Sequence, residues 1–353
     1  MNKYSVIGVM SGTSLDGIDI VYCQLLLNKK WNYKIIKSHT YKYPKQWKQK
    51  LIGAHLLKAR DFIFLDHEFG KYIGEIINQF IKFNKIKKKE IDLISSHGHT
   101  IFHEPQNGFT FQLGNGVQIC ASTDIKTISD FRTLNVAFGG QGAPLVPIGD
   151  QLLFSQFKAC LNLGGIANIS FNEDNKVIAG DINFANMISN YLSEKLGFSI
   201  DEDGHLASQG NYNDNLMSEL KELKFYNKEF PKSLSIEDFN LWYKPIFKNS
   251  NCSIYDQLFT SGIHLCETIK SSLNFDKKDE ILLTGGGSYN NFWVKKLKEL
   301  KINVVIPNPI LIDFKEALIF AFLGVLKMRN EDNSLSSVTG SIKNLKTGII
   351  YDS

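Results

Sequence analysis

The sequence predicts an α/β protein built from two domains of similar size. Its 353 residues are too many for one ordinary core, and its hydrophobic residues, 43% of the chain, are enough to fill two cores. The order strand, glycine turn, strand, strand, helix occurs near the N-terminus and again in mid-chain. This recurrence predicts two copies of one fold that face each other across a cleft.

The first copy opens with three strands in a row. The predicted strands are residues 4–10, 18–26, 33–41 and 91–96, and the predicted helices are residues 46–59 and 63–83. A turn rich in glycine, serine and threonine, residues 11–17, joins the first two strands. A loop rich in histidine and glycine is predicted to follow Ser96.

The second copy repeats this beginning. Its predicted strands are residues 159–163, 167–171, 177–181, 280–284 and 303–306, and its predicted helices are residues 184–196 and 289–300. A further predicted helix, residues 314–328, either closes this domain or returns toward the first. No linker separates the copies, so the boundary is placed near residues 130–142. The predicted domains are residues 1–133, with a C-terminal return at about 330–353, and residues 134–329.

Composition and charge exclude several classes of protein. The net charge of +4 is spread along the chain, and runs such as Lys87 to Lys89 are typical of solvated helix ends, so no nucleic-acid partner is expected. The five cysteines form no C-x-x-C pair, and such an odd, scattered set indicates a reducing compartment. Neither a secretory signal nor a membrane span is visible, so a cytoplasmic enzyme without membrane contact is expected.

The longest run of small polar residues lies in the first turn. Residues 8–19 read GVMSGTSLDGID, and glycines with hydroxyl side chains let backbone N–H groups approach an anion closely. Asp16 can hold a hydrated Mg²⁺ beside a phosphate. An isolated turn of this kind is more often a tight hairpin, but the length of the run favours a phosphate loop. The predicted nucleotide-binding residues here are Gly12, Thr13, Ser14, Leu15, Asp16, Gly17, Ile18 and Asp19.

Two further glycine turns lie in the second copy. Gly164 and Gly165 occupy the equivalent first turn, where a plain hairpin is the alternative to a second phosphate loop. Gly285, Gly286 and Gly287 lie between a strand and a predicted helix N-terminus, where either a nucleotide or a sharp connection accounts for them. The two commonest nucleotide-binding motifs, G-x-x-x-x-G-K-[ST] and G-x-G-x-x-G, are absent.

Several other polar residues are candidates for a substrate site. His97, His99 and His103 lack accompanying cysteine or carboxylate ligands, so a loop that lines a substrate is favoured over a zinc site. Arg132 is suited to bind a carboxylate with two hydrogen bonds, or else to form a buried pair with Asp130 that ties the domain junction.

Two acids remain. Asp181 is predicted to end a strand before a helix, as either a catalytic carboxylate or a helix cap. Glu316 is predicted in the first turn of an apolar helix, where its alternative role is to complement the helix dipole.

These runs together resemble the anhydro-N-acetylmuramic acid kinase family over nearly the whole chain and in the same order. The most specific are GVMSGTSLDGID and GGQGAPLVP (residues 139–147); the supporting runs are SHGHT, FQLGNG, SDFR, LNLGGIANIS, PKS, LLTGGGSYN, FKEALIFA and SVTGS. The resemblance implies two actin-like (ribonuclease H-like) domains around a nucleotide cleft. It also implies ATP, Mg²⁺ and a small-molecule amino sugar as ligands, and a homodimer is compatible with it.

The resemblance also implies residue roles. The enzyme would open the 1,6-anhydro bridge with water and phosphorylate the freed O6 to give N-acetylmuramic acid 6-phosphate, in peptidoglycan recycling. Asp181 would be the general base and Glu316 would orient water or sugar. Arg132 would pair with the lactyl carboxylate, and the triple glycine would border the nucleotide. The substrate-binding set implied is His97, Arg132, Gln141 and Asn186.

The chain departs from the family pattern at two places. His99 stands where the family usually has Gln. The family run Asp-Thr-Gly-Pro-Gly-Asn is here Asp-Ile-Asn-Phe-Ala-Asn at residues 181–186, so the fit of the sugar is the property this change would affect. Two alternatives stay open: a kinase of another sugar on the same fold, and a catalytically weak paralogue that binds nucleotide or sugar.

Overall fold

The computed structural model describes residues 2–174, 176–272 and 276–352. The chain divides into two compact units. The first comprises Met1–Leu153 and Phe314–Ser353, and the second comprises Phe154–Asp313. Both boundaries between the units therefore differ from the sequence prediction. The first boundary falls later than residue 133, and the C-terminal segment that returns to the first unit begins earlier than residue 330.

Twelve strands are found in the described residues. They are β1 Asn2–Ser11, β2 Gly17–Asn28, β3 Lys30–Lys42, β4 Leu93–Glu104, β5 Phe109–Leu113, β6 Thr127–Ser129, β7 Ala159–Leu163, β8 Ile166–Glu173, β9 Lys176–Phe184, β10 Glu280–Thr284, β11 Asn303–Val305 and β12 Ile349–Tyr351.

Thirteen α-helices are found in the same part of the chain. They are α1 Lys45–Gly53, α2 Ala59–Phe83, α3 Gly116–Thr123, α4 Thr133–Ala137, α5 Val146–Leu153, α6 Asn186–Glu194, α7 Asp214–Lys221, α8 Ile236–Asp238, α9 Lys244–Asn249, α10 Ile254–Ser271, α11 Asn291–Glu299, α12 Pro309–Met328 and α13 Ser336–Thr339.

The two units share one strand order. In the first, the path runs β3-β2-β1-β4-β6, with β12 beyond β6 and β5 paired to β4; in the second it runs β9-β8-β7-β10-β11. In each unit, the first three strands form an antiparallel series. The last two strands of each path continue the sheet on the other side of the unit's first strand and run parallel to it. The predicted α/β class and the two copies of an actin-like (ribonuclease H-like) fold are confirmed by this shared order.

Each unit has its own apolar core. In the first, Ile7 and Val9 of β1 pack with Phe69, Ile73 and Ile77 of α2, all fully buried. In the second, a separate core is built from β7, β9, α10 and α11 among others. Burial of each large apolar side chain contributes about 1.5–3 kcal/mol, so each unit has its own source of stability.

Two helices explain the difference in unit boundaries. Gly149 of α5 packs directly on Ile319 of α12, where an added Cβ would lie 2.7 Å from the Ile319 side chain. Asp150 of α5 and Lys315 of α12 form a buried ion pair of 2.7 Å. These contacts hold α5 and most of α12 in the first unit, and nothing in the sequence near residue 133 encodes them.

Helix α12 also packs closely on β1. A Cβ added to Gly8 would lie 2.0 Å from the carbonyl oxygen of Ala317, so only glycine fits there. The backbone of Glu316, which precedes Ala317, is therefore fixed relative to β1, the strand that leads into the first glycine turn. A larger residue at position 8 would push α12 away from β1.

The histidine-rich segment is strand rather than loop. Strand β4 pairs parallel with β1 and continues to Glu104, because from His99 onward it also pairs antiparallel with β5. His99 lies opposite Leu113 in that pairing. The predicted loop after Ser96 was therefore wrong: His97 and His99 both lie in the strand, and His99 is paired with both neighbouring strands.

Candidate active site

The first glycine turn connects β1 to β2 and presents free backbone donors. The N–H of Leu15 donates to the Gly12 carbonyl at 3.3 Å, and Leu15 has a left-handed φ of 60°. Within the described ranges, no protein acceptor is found for the N–H groups of Thr13 and Ser14, and both residues are exposed. The turn thus offers two backbone donors and two hydroxyls to an anion.

Ser11, the last residue of β1, anchors this turn. Its Oγ lies 2.6 Å from the Tyr43 hydroxyl and 2.8 Å from Nδ1 of His99, and the residue is 1% exposed. Burial lowers the pKa of His99 to about 4, so the ring is neutral at pH 7. Tyr43 was not predicted as a site residue, because its partner lies 32 positions away and no local motif marks it.

The two acids of the turn differ in setting. Asp16 is exposed on the bend before β2, with its carboxylate open to solvent. Asp19 is half-buried within β2 and accepts a hydrogen bond from the Thr40 hydroxyl at 2.5 Å. Among the described residues, no group of three or more His, Cys, Asp or Glu is arranged to hold a metal ion.

Arg132 is held from two sides within the first unit. Its Nε donates to Nε2 of His97 at 2.9 Å, and its Nη1 donates to the Gly142 carbonyl at 2.6 Å. Burial lowers the pKa of Arg132 to about 10, and the nearby charge of Glu316 opposes that shift. The predicted alternative, a pair with Asp130, is not formed: Asp130 instead accepts from the N–H of Thr133.

Gln141 lies between two glycines of left-handed φ, Gly139 and Gly142. Its N–H donates to the Thr339 carbonyl at 2.7 Å, and its side chain is exposed. The structure thus fixes its backbone and leaves the amide group available.

Glu316 lies on α12, one residue before the close contact with β1. The helix begins at Pro309, so Glu316 is in its third turn and not in the first turn as predicted. Its side chain is exposed. Desolvation nevertheless raises its pKa. The charges of Arg132 and Lys315 oppose the shift, and that of Asp19 adds to it.

Asp181 lies within β9 of the second unit and not at its end. The strand continues to Phe184, so Asp181 does not cap α6; the capping position is Ala185. One carboxylate oxygen, Oδ2, accepts from the N–H of Leu234 at 2.8 Å, and no protein donor to Oδ1 is found in the described segments. Burial raises the pKa of Asp181 to about 6, with the Leu234 bond acting in the opposite direction.

The two glycine turns of the second unit lie against each other. Gly285 has a φ of 83°, and a Cβ there would lie 2.6 Å from Oδ1 of Asn162. The same Cβ would lie 2.7 Å from the carbonyl oxygen of Leu163, which immediately precedes Gly164. The sequence predicted both turns separately, and the fold brings them together at the ends of β7 and β10.

The triple glycine does not lead directly into α11. A 3₁₀ turn, Gly286–Tyr289, intervenes, and Asn290 caps α11 by accepting from the N–H of Trp293 at 3.1 Å. The helix predicted at residues 289–300 is therefore present as α11, but it begins two residues later than predicted and is separated from the glycines by this 3₁₀ turn. The Gly285 carbonyl instead accepts from the Ser288 hydroxyl at 2.7 Å.

The Gly164-Gly165 turn supports the start of α6. Its carbonyls accept from the N–H groups of Ala185, Asn186 and Met187. The Asn186 side chain donates to the Leu163 carbonyl at 3.1 Å, so its amide is already engaged in holding this turn. The predicted role of Asn186 in binding substrate would use its Oδ1 and the second hydrogen of Nδ2.

The residues that depart from the family pattern are in the core. Ile182, Phe184 and Ala185 are each 1% exposed. Asn183 is fully buried, and its side chain contacts His264, Thr268 and the Tyr226 hydroxyl. These changes therefore alter the packing behind Asp181 rather than an exposed surface, which the motif alone did not reveal.

Comparison with known proteins identifies relatives along the whole chain. A family model described as anhydro-N-acetylmuramic acid kinase matches residues 4–353. The enzyme of that name from Sulfurimonas denitrificans is 32% identical over 368 residues, covering 98% of this chain and 99% of the relative. That from Zymomonas mobilis is 33% identical over 359 residues, covering 95% and 96%.

A solved structure also resembles this chain. The match with (R)-2-hydroxyglutaryl-CoA dehydratase component A of Acidaminococcus fermentans covers 90% of this chain and 96% of that protein, at 11% identity and a TM-score of 0.46.

No helix in the described part of the chain is both long and apolar enough to cross a membrane.

Proposed function

The chain belongs to the anhydro-N-acetylmuramic acid kinase family, and we propose that it carries out the reaction this name describes. It binds 1,6-anhydro-N-acetylmuramic acid and ATP, opens the anhydro bridge with water, and transfers the γ-phosphoryl group to O6. The product is N-acetylmuramic acid 6-phosphate, which places the enzyme in peptidoglycan recycling.

The setting of Asp181 is the observation that carries this proposal. The reaction needs a base that takes a proton from water as the water attacks C1 of the sugar. A carboxylate with a pKa of about 6 is mostly ionised at pH 7 yet basic enough to accept that proton. Leu234 holds one oxygen, which leaves Oδ1 for the water.

Charge then moves from C1 to O6. Breaking the C1–O6 bond leaves a developing alkoxide on O6, which attacks the γ-phosphorus and releases ADP. Phosphoryl transfer depends mainly on positioning and charge neutralisation. We assign the phosphates to the N–H groups and hydroxyls of Thr13 and Ser14, and the nucleotide border to residues 285–287.

The first turn offers one carboxylate, that of Asp16, as a ligand for a magnesium ion. Mg²⁺ in kinases is commonly held by one or two carboxylates, waters and the substrate phosphates, so a cage of three acids is not needed. The exposed carboxylate of Asp16 on the turn suits that arrangement. When bound, the ion neutralises phosphate charge.

The sugar is assigned to polar groups of the first unit. Arg132 keeps N–H groups for the lactyl carboxylate, and Glu316 orients the water or a sugar hydroxyl. Both residues lie near each other, since each affects the pKa of the other.

The product tests the function directly. Mass spectrometry after incubation with ATP and the anhydro sugar is expected to show a gain of one water and one phosphoryl group. N-acetylmuramic acid, whose ring bridge is already open, is the matched control. If the enzyme phosphorylates that sugar or another one well and leaves the anhydro sugar unchanged, the proposed function is wrong.

Substitution of Asp16 by Asn tests the metal assignment. Loss of one charge near a divalent ion is expected to raise the Mg²⁺ concentration for half-maximal turnover about tenfold or more, with unchanged melting temperature. Asp61→Asn, an exposed acid on α2, is the control. Equal Mg²⁺ dependence in both variants would leave Asp16 as a turn residue only.

A further inference from the structure

Both ring nitrogens of His97 are committed inside the protein. Nδ1 lies 2.9 Å from the Gly98 carbonyl oxygen, which can only accept, so Nδ1 carries the proton. Nε2 receives the hydrogen of Arg132 Nε at 2.9 Å, so Nε2 carries the lone pair. His97 is therefore a neutral ring in a single tautomer, 4% exposed, and has no nitrogen left for a ligand.

The arrangement determines which edge of Arg132 stays available. A guanidinium has five N–H donors, and His97 and Gly142 use one each, on Nε and Nη1. In the described residues, neither hydrogen of Nη2 has a protein acceptor. The second hydrogen of Nη1 and both hydrogens of Nη2 are thus left to bind an anion.

Charge supports an anion at that edge. Desolvation lowers the pKa of Arg132, which means that the protein around it disfavours the cation. No ion pair of Arg132 is found in the ranges described, although Glu316 is near enough to act on its pKa. A partly buried cation of this kind gains most from a ligand that supplies a carboxylate with two oxygens.

We propose that His97 is a positioning residue that orients Arg132 and so makes the enzyme select a sugar that carries a carboxylate. This inference rests on the proposed function, and it changes the role predicted for His97 from direct contact with substrate to support of the residue that makes that contact. His97 acts by accepting from Nε, which fixes the plane of the guanidinium. The ring also packs on Phe320, with centroids 4.6 Å apart, which holds the imidazole itself.

Two reciprocal substitutions separate positioning from general structural support. In His97→Asn, the side-chain amide reaches the place of Nδ1 and can keep the bond to Gly98, but the acceptor for Arg132 is lost. In His97→Gln, the side-chain oxygen reaches the place of Nε2 and can keep the bond to Arg132, but the bond to Gly98 is lost. Both remove the ring, so loss of packing is common to the two.

The readout is a preference between two sugars. Binding by calorimetry and kcat/KM are measured for 1,6-anhydro-N-acetylmuramic acid and for 1,6-anhydro-N-acetylglucosamine, which has a hydroxyl in place of the lactyl ether. His97→Asn is expected to reduce the preference for the first sugar about 10- to 100-fold, through KM for the sugar, with KM for ATP unchanged. His97→Gln is expected to retain most of the preference.

The outcomes are distinct. Equal losses for both sugars in both variants, or no loss in His97→Asn, would overturn the role of His97 and leave the proposed function standing. Wild-type protein that binds the acidic sugar preferentially without turning it over would contradict the proposed function, and the binding data alone would then decide the role of His97. Wild-type protein with no preference for the carboxylate would overturn the inference.

Discussion

Substitution of Asp181 by Asn is expected to lower kcat by a factor of about 10² to 10⁴, the usual contribution of a positioned general base. Asn retains the oxygen that can accept from the N–H of Leu234, so the local structure is kept. It cannot take a proton from water. Binding of sugar and ATP should remain, and the measurement is single-turnover kinetics beside calorimetric binding.

The pH dependence of the wild-type enzyme follows from the same carboxylate. If Asp181 is the general base, activity requires its ionised form; since its pKa is about 6, kcat should then fall about tenfold per pH unit below that value. In Asp181→Asn, the residual rate should no longer show this acid limb. A limb that persists unchanged in the variant would assign the titration to another group.

Stability should change in the opposite direction to activity. The folded-state pKa of about 6 lies above the ordinary value of 3.8, so the folded protein binds the proton more tightly than the unfolded chain does. The contribution of Asp181 to stability therefore falls as pH rises from about 3.8 to about 6. Asp181→Asn is expected to melt at an equal or higher temperature at pH 7, with the difference vanishing near pH 4.

Asp201→Asn provides the matched control within the same unit. Asp201 uses both oxygens, since Oδ1 accepts from Leu206 at 2.6 Å and Oδ2 accepts from Ala207 at 3.1 Å. Asn leaves one of these N–H groups unpaired, at a cost of about 1–3 kcal/mol. This variant should melt lower and keep its kcat. If Asp181→Asn behaves the same way, Asp181 is structural and the mechanism is wrong.

The fold was predictable where the signal is local. Alternating apolar residues and glycine turns identified the strands that make up most of both sheets, because each strand has one or both faces buried. The register of β4 was not predictable, since its extension past Ser96 depends on pairing with β5. The unit boundary also depended on a remote contact, that of Gly149 with Ile319.

In the candidate site, too, local sequence features were predictable and contacts between remote residues were not. The run at residues 8–19 stands out in sequence because small polar residues cluster between two strands, and the acid at position 181 stands out because a carboxylate follows an apolar strand pattern. The partners of these groups do not stand out. Tyr43, which contacts Ser11, and Leu234, which contacts Asp181, come from segments far along the chain and carry no motif for the role. Such partners become visible only when the chain is folded.

Substitution of Glu316 by Gln is expected to lower kcat about a hundredfold, the size of effect that loss of precise orientation produces. Gln has nearly the same shape and keeps an acceptor oxygen, but it lacks the charge that faces Arg132. The close contact of Gly8 with Ala317 fixes the neighbouring backbone, so the side chain should stay in place. Since desolvation raises the pKa of Glu316, the uncharged variant should melt no lower than wild type at pH 7.

Asp313→Asn is the control for an effect of helix charge. Asp313 lies nearer the start of α12 and accepts a bond from the Tyr289 hydroxyl at 3.2 Å. If Glu316 acted only on the helix dipole, Asp313→Asn would cost at least as much stability, because that effect falls off beyond the first turn, and neither variant would change kcat. Wild-type kcat in Glu316→Gln would therefore remove Glu316 from the mechanism.

The loss of kcat at low pH, the acid limb of the profile, distinguishes the catalytic roles of Asp181 and Glu316. Both have a raised pKa, so either one alone could in principle produce loss of activity at low pH. If Asp181 is the base and Glu316 only orients, Glu316→Gln should turn over slowly but still lose activity below about pH 6. If Glu316 is the base, its Gln variant should lose the limb and Asp181→Asn should keep it. The pH profiles of the two variants, measured side by side, thus decide which carboxylate receives the proton from water.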